Sequence, residues 1–236
     1  MSSAAIVLAG GAGTRLQASE NKVYLPVGGR PLLAWSLAAF DAAEPIAQIV
    51  LVIRGEDAER AAAVLAEHPI GKLTAVVVGG ATRHASERAG LEVLAGDIDS
   101  GVVDLVCIHD AARPFVRAAL LERVLAVARR HGGAIPGLAV DAPVLLRTGS
   151  GGGAAEPVTT DDLRRVQTPQ AFRGPELLAA FRRAEAEGFA GVDTAETVAR
   201  YSALDVHVVE GDHDNIKVTF VEDLFAVEAL AARWSG

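Results

Sequence analysis

One cysteine, Cys107, and one methionine occur among 236 residues, and aromatic side chains make up only 5% of the chain. A lone cysteine forms no internal disulfide, so the chain suits a reducing compartment. Cys107 sits in the apolar run "VVDLVCIHD" and reads as a small buried hydrophobe rather than a nucleophile. Basic charge is also scarce. Twenty-two Lys and Arg against 30 Asp and Glu leave a net charge of −8, which excludes the basic footprint of a nucleic-acid-binding protein. A few cations gathered in a cleft can still hold a small anion. No apolar run approaches the roughly 18 residues of a membrane span. The opening "MSSAAIVLAGG" has no basic region ahead of its apolar stretch, so a secretory signal is not expected and the cytoplasm is. Apolar residues are plentiful, at 50% of the chain against 22% charged. That composition supports one α/β domain over residues 1–236.

Short β-branched runs alternate with helix-like stretches. Strands are expected at 5–9, 48–53, 74–78, 103–108, 134–138 and 206–209, nearly continuous in apolar residues as strands buried on both faces should be. Helices are expected at 31–43, 56–68, 83–96, 117–132 and 222–234. This alternation predicts a mostly parallel sheet with helices on both faces, its ligands at the carboxyl ends of the strands. Residues 141–165 break the rhythm. The glycine tip "TGSGGGAAEP" lies between the apolar pieces "PVLL" and "PVTT". A projecting β-hairpin or a plain surface loop would both fit.

Three stretches at strand ends carry candidate chemistry. In "AIVLAGGAGTRL" glycines follow the first strand directly, where bare backbone N–H groups can converge on phosphate oxygens. It is not the dinucleotide fingerprint, because Leu16 replaces the third glycine, and no Gly-Lys-Ser/Thr follows to make a P-loop. Arg15 and Lys22 sharpen the reading: two cations beside a phosphate loop suit a triphosphate and the charge of phosphoryl transfer. Taken singly, each would be a solvated surface residue. In "VCIHDAARPFV", Asp110 ends a buried strand, placed either to hold Mg²⁺ or to cap a helix. His109 reads as a core histidine. In "GDHDNIKVTFVEDL", Lys217 falls in a short predicted strand, "IKVT".

The pattern "LAGGAGTRL…NK…P" resembles the signature of nucleotidyltransferases that activate sugars and polyol phosphates. With "HDAARP", "TPQ" (168–170) and "DNIKVT…EDL" added, the chain resembles the cytidylyltransferases acting on 2-C-methyl-D-erythritol 4-phosphate or ribitol 5-phosphate, in the right order from Ala5 to the last helix. The resemblance implies a Rossmann-like nucleotidyltransferase fold, CTP and a polyol phosphate as substrates, Mg²⁺ as cofactor, and a homodimer that exchanges a hairpin arm, here 141–165. Ala9, Gly10, Gly11, Ala12, Gly13 and Thr14 would cradle the CTP phosphates. Arg15 and Lys22 would stabilise the pentavalent phosphorus and the departing pyrophosphate. Gly80, Arg83 and Ser86 would line the cytosine and ribose pocket, with Ala111 on the nucleotide side. Asp110 would face metal and acceptor. Arg113, Thr168 and Lys217 would serve the acceptor, and Lys217 also the α-phosphate. The methylerythritol phosphate is the first acceptor reading and ribitol 5-phosphate the second, toward which the "LAGGxGTR" form leans. A non-catalytic nucleotide-binding module is the third, and the presence of Arg15, Lys22, Asp110 and Lys217 weighs against it.

Two departures from that pattern stand out. Asn21 replaces the proline usual before Lys22, which is expected to loosen the turn and keep the charge. The arm of the family supplies a threonine and an arginine to the acceptor phosphate. Spacing places these near Ala142 and Thr160, where neither is present. Either Arg147, Arg164 or Arg165 substitutes for them, or the acceptor differs.

Overall fold

A computed structural model of the chain describes residues 2–11, 21–140, 145–147, 156–159 and 161–234. From the amino end run β1 (Ser2–Leu8), a small hairpin of β2 (Pro26–Val27) and β3 (Arg30–Pro31), α1 (Leu32–Ala42), β4 (Ile46–Ile53), α2 (Ala58–Glu67) and β5 (Leu73–Val78). Then come α3 (Arg83–Asp99), β6 (Val103–Asp110), α4 (Ala118–His131), β7 (Gly132–Ala139), β8 (Leu145–Arg147), β9 (Glu156–Val158), β10 (Arg164–Val166) and β11 (Gln170–Arg173). The last are α5 (Gly174–Ala186), α6 (Thr194–Tyr201), β12 (Asp205–Glu210) and α7 (Val221–Ala231).

The main sheet has the order β10-β7-β11-β6-β1-β4-β5, with β12 paired to β7. β1, β4, β5, β6, β7 and β12 share one direction, and only β10 and β11 oppose it. The side-chain alternation of β1 sorts the core into two layers. Ala5, Val7 and Ala9 face a cluster with Leu33, Leu37 and Phe40 of α1, Val64 of α2 and Val124 of α4. Ala4, Ile6 and Leu8 face the other way, onto Leu91 and Leu94 of α3, Leu177 and Phe181 of α5 and Val198 of α6. A third, smaller cluster seats α7 through Val227 and Leu230 against Leu32, Phe115 and Val218. Strands covered on both sides explain the unbroken apolar runs of β1, β4 and β6.

Some expectations need correction. β5 is an edge strand whose residues alternate between half-buried and exposed, with Val78 61% exposed, so it is not covered on both faces. Residues 214–219 form an irregular loop, so Lys217 is not on a strand. The helices α5 and α6 are absent from the sequence-based expectation. Their signals are nonetheless present: Pro175 in the first turn of α5, and Asp193 accepting from the Ala195 N–H to cap the eight-residue α6. Within 141–165, β8 and β9 pair antiparallel as a separate two-stranded sheet. Arg164 and Arg165 belong instead to β10 of the main sheet.

The site depends on how closely α3 lies on β1. A Cβ added to Gly90 would come within 2.6 Å of Ile6 Cγ2 and 3.2 Å of Val52 Cγ2. Gly90→Val is therefore expected to cost about 1–3 kcal/mol through overpacking. Urea denaturation checks this as a lowered midpoint with an unchanged slope.

Candidate active site

β1 and β6 are neighbours paired in parallel, with Leu8 opposite Asp110, and the chain departs from β1 in one direction and reaches β6 from the other. Such a switch point opens a crevice at the carboxyl ends of the strands. A cavity of about 400 Å³ lies there, lined by Leu8, Gly10, Gly11, Lys22, Val23, Gly80, Ala81, Thr82, Arg83, Ser86, Asp110, Ala112, Lys217 and Thr219. Asp110 is the one carboxylate among these lining residues, against three cations.

The Asp110 carboxylate accepts from Lys217 Nζ at 2.6 Å and from Arg83 Nη2 at 3.4 Å. Burial works to raise its pKa. The Lys217 ammonium and the Arg83 guanidinium outweigh that and hold it well below the usual carboxylate range. Asp110 is thus an anion at any working pH. It caps no helix, since a turn follows it and α4 starts only at Ala118. Arg83 is gripped from behind by the buried Glu87 and donates to Thr194 Oγ1 at 3.2 Å. Thr194 in turn donates to Glu87 at 2.6 Å. Burial pushes Glu87 up to about 7, against the opposing pull of Arg83.

Lys217 sits on a loop without regular structure, yet the loop is pinned at many points. Arg113 Nη1 donates to Asn215 O at 2.8 Å, and Gln167 Nε2 to Asp212 O at 2.8 Å. Asn215 Nδ2 donates to Thr168 O at 2.8 Å, and the Val218 N–H to Ala112 O at 2.9 Å. With Val218 fully buried, the adjacent side chain of Lys217 is aimed at Asp110.

Lys22 opens a 3₁₀ turn, Lys22–Tyr24, and Asn21 caps it. The Asn21 side chain is 1% exposed. Its amide donates to Ala9 O at 2.7 Å and to Asp57 Oδ2 at 2.8 Å, and its Oδ1 accepts from the Val23 N–H at 3.4 Å. Asp57 is itself clamped by Arg54 through Nε at 2.7 Å and Nη2 at 3.1 Å. The substitution expected to loosen this turn therefore does the reverse: Asn21 ties the lysine turn to the end of β1 and to the start of α2. No local motif announces Asp57, and its partnership with Asn21 spans 36 residues.

The far wall is the amino end of α3. Thr82 accepts from the Ala85 N–H at 3.0 Å as its cap. The positive end of a 17-residue helix thereby faces the cavity beside Gly80, Arg83 and Ser86.

A profile of the 2-C-methyl-D-erythritol 4-phosphate cytidylyltransferase family matches residues 3–233. The chain belongs to that family. It is 39% identical over 97% of its length to the enzyme so named from Geobacillus kaustophilus, covering 96% of that protein. It is 43% identical to one from Cereibacter sphaeroides, with full coverage of both. Among solved structures, the fold matches a 4-diphosphocytidyl-2C-methyl-D-erythritol synthase from Anaerococcus prevotii at a TM-score of 0.83 and 27% identity, covering 98% of this chain and 96% of that one. It also matches the cytidylyltransferase from Thermus thermophilus at 0.76 and 33% identity, covering 98% and 100%.

In this member of the family the expected site residues fall into three groups. Gly10, Gly11, Lys22, Gly80, Arg83, Ser86, Asp110 and Lys217 line the cavity together. Ala12, Gly13, Thr14, Arg15, Ala142 and Thr160 lie outside the described residues. Ala9, Ala111, Arg113 and Thr168 are placed behind the wall. Ala9 is buried, its N–H bound to Val52 O and its carbonyl to Asn21. Ala111 is buried with its N–H on Leu8 O, and its neighbour Ala112 lines the cavity instead. Arg113 is spent on the Lys217 loop and on Val166 O. Thr168 Oγ1 accepts from the Asp110 N–H at 3.1 Å and contacts His109 Nδ1 at 3.0 Å. His109 Nε2 faces Arg113 O at 3.0 Å, and a carbonyl only accepts, so the imidazole proton is on Nε2 and Thr168 donates to Nδ1. Burial lowers His109 to about 4, a neutral core histidine as the sequence suggested, and raises the Cys107 thiol to about 12.

Asn21→Ala removes the brace without touching the Lys22 charge. Turnover is expected to fall, by less than the roughly 2.7–4 kcal/mol lost with a transition-state cation in Lys22→Ala, while CTP binding changes little. Stability is expected to drop by about 1–3 kcal/mol as buried polar groups lose a partner. Steady-state kinetics with a denaturant titration check both, and wild-type turnover in Asn21→Ala would reduce the brace to a purely structural part.

Proposed function

We propose that the chain transfers CMP from CTP to 2-C-methyl-D-erythritol 4-phosphate with release of pyrophosphate. The observation that carries the reading is the convergence of Arg83 and Lys217 on Asp110 in a cavity also lined by Lys22 and by the bare backbone of Gly10 and Gly11. A net-acidic protein has assembled a cationic crevice of a size and polarity suited to a nucleotide. The names of its full-length relatives select the acceptor.

The acceptor is already an anion. One of its phosphate oxygens attacks the α-phosphorus in line, the bond from that phosphorus to the pyrophosphate oxygen breaks, and no proton need be removed. The barrier lies in charge repulsion and positioning. Gly10 and Gly11 leave room for phosphate oxygens against the backbone. Lys22 meets the charge on the α-phosphorus and the departing pyrophosphate, the role that the family pattern also assigns to Arg15. Arg83, Gly80 and Ser86 hold the nucleoside end. Lys217 bridges acceptor and α-phosphate, and Asp110 keeps it aimed there. Mg²⁺ fits the donor set: a single permanently ionised carboxylate at the cavity wall suits an ion that takes its remaining oxygens from substrate phosphates and water. When bound, Mg²⁺ neutralises and orients the phosphates; Asp110 would hold it.

For the acceptor phosphate we assign Arg165 in place of the absent arm arginine. Arg164 already donates to the carbonyls of Asp161 and Leu163 at 2.8 and 2.9 Å. Arg165 is exposed on β10, and its charge is felt by Arg113, which borders the Lys217 loop. The 141–165 segment is proposed as the dimerisation arm, its β8–β9 hairpin standing apart from the main sheet.

The reading is tested by pyrophosphate release with CTP, Mg²⁺ and a panel of methylerythritol, ribitol, erythritol and glycerol phosphates. The methylerythritol phosphate is expected to give the highest kcat/KM; preference for ribitol 5-phosphate would transfer the assignment, and no turnover with any would favour a binding module. Arg165→Ala is expected to raise the acceptor KM by the equivalent of about 1.5–3 kcal/mol, the worth of a charge-assisted hydrogen bond, with the CTP KM intact. Sedimentation equilibrium is expected to show a dimer, and a monomer at micromolar concentration would remove the arm's proposed role.

A further inference from the structure

At the opposite end of the sheet three metal-binding side chains meet. His131 is the last residue of α4, Asp205 the first of β12, and His207 lies two residues along β12. Parallel pairing sets Asp205 beside Gly132 and His207 beside Ala134, which brings the end of α4 against the start of the edge strand. Gly132, at φ 113°, permits the abrupt passage from helix to strand; a side chain there would strike Leu204 at 2.7 Å. Asp205 and His207 are separated by two strand positions and so share one face.

The donor geometry is convergent. His207 Nε2 lies 2.6 Å from Asp205 Oδ2, and His131 Nδ1 lies 3.8 Å from the same oxygen. All three ligand atoms fall within 4.8 Å of one another. The two imidazoles stack at 3.8 Å between centroids and 29° between planes. Arg129 on the preceding turn does not compete for the carboxylate, because it is turned to Asp104 at 3.6 Å and Ser3 Oγ at 3.3 Å. Among the described residues this is the one group of three such side chains placed to hold an ion.

We propose that His131, Asp205 and His207 form a surface site for a borderline divalent transition-metal ion such as Zn²⁺, which ties the end of α4 to edge strand β12. Two imidazole nitrogens and one carboxylate oxygen match that class, whose donors Zn²⁺ takes at about 2.0–2.2 Å. Mg²⁺, which selects oxygen, is excluded by the same donor set. The site is independent of catalysis, since the loop bearing Lys217 leaves the other end of β12. Its effect is on the fold: a bound ion stabilises the native chain alone and ties down a strand at the sheet edge.

The test is zinc competition against a chromogenic chelator, on tag-free full-length protein in excess Mg²⁺, which occupies any oxygen site at Asp110. Wild type is expected to hold one Zn²⁺ per chain and to melt at higher temperature with zinc than without. His207→Ala and Asp205→Asn are expected to weaken zinc binding by roughly tenfold or more and to lose the thermal shift. Their zinc-free melting temperature and turnover are expected to match wild type, which excludes misfolding as the cause. No stoichiometric zinc in the wild type, or undiminished zinc in both variants, would overturn the proposal.

Discussion

The site is organised around one ionised carboxylate. Asp110 is largely removed from solvent at the end of β6, and a charge in that position is costly unless opposite charges meet it. Lys217 and Arg83 meet it from segments 107 and 27 residues away. The attraction that keeps Asp110 ionised is therefore also what gathers the cations, and a net charge of −8 makes such gathering necessary. A polyanionic substrate entering the crevice finds cations already in place. Little of its binding energy is then spent on ordering them, the condition under which electrostatic stabilisation is most effective.

The turn that carries Lys22 is fixed by a different means. It is a capped 3₁₀ turn, roped to the end of β1 by Asn21 and to α2 by Asp57 and Arg54. Behind the opposite wall, a relay of buried hydrogen bonds that ends in the Arg113 guanidinium does equivalent service. Thr168 links the Asp110 N–H to the neutral His109, which reaches the Arg113 carbonyl, and Arg113 holds the loop of Lys217. The charges that line the cavity are thus backed by buried groups that position them, some neutral and some, such as Glu87 and Arg113, charged. Keeping His109 neutral adds rigidity without adding a charge to the balance around Asp110.

The two ends of the sheet also carry different ligand chemistry. Parallel strands place loops that follow β1, β5 and β6 on one rim, where backbone N–H groups, cations and one carboxylate suit phosphates and a hard ion. The opposite rim brings a helix end beside a strand start, and there imidazoles gather. Donor type alone would separate a hard ion at the first rim from a borderline ion at the second.

Local periodicity and short motifs were enough to read the alternating α/β order, five of the seven helices among the described residues, the buried runs of β1, β4 and β6, and the family. They also singled out Lys22, just after the glycine turn, and Asp110, which ends an apolar run, while Arg83 and the role of Lys217 came from the family resemblance. They could not show that Arg113, Thr168 and Ala111 serve behind the wall, because a motif names neighbours along the chain and not the side of a strand end on which each stands. Nor could they show that Asn21 tightens the lysine turn. That depends on Asp57, in the turn just before α2, which only the fold brings within 2.8 Å. Contacts between residues distant in sequence leave no periodic trace along the chain, so the fold had to be seen before they could be known.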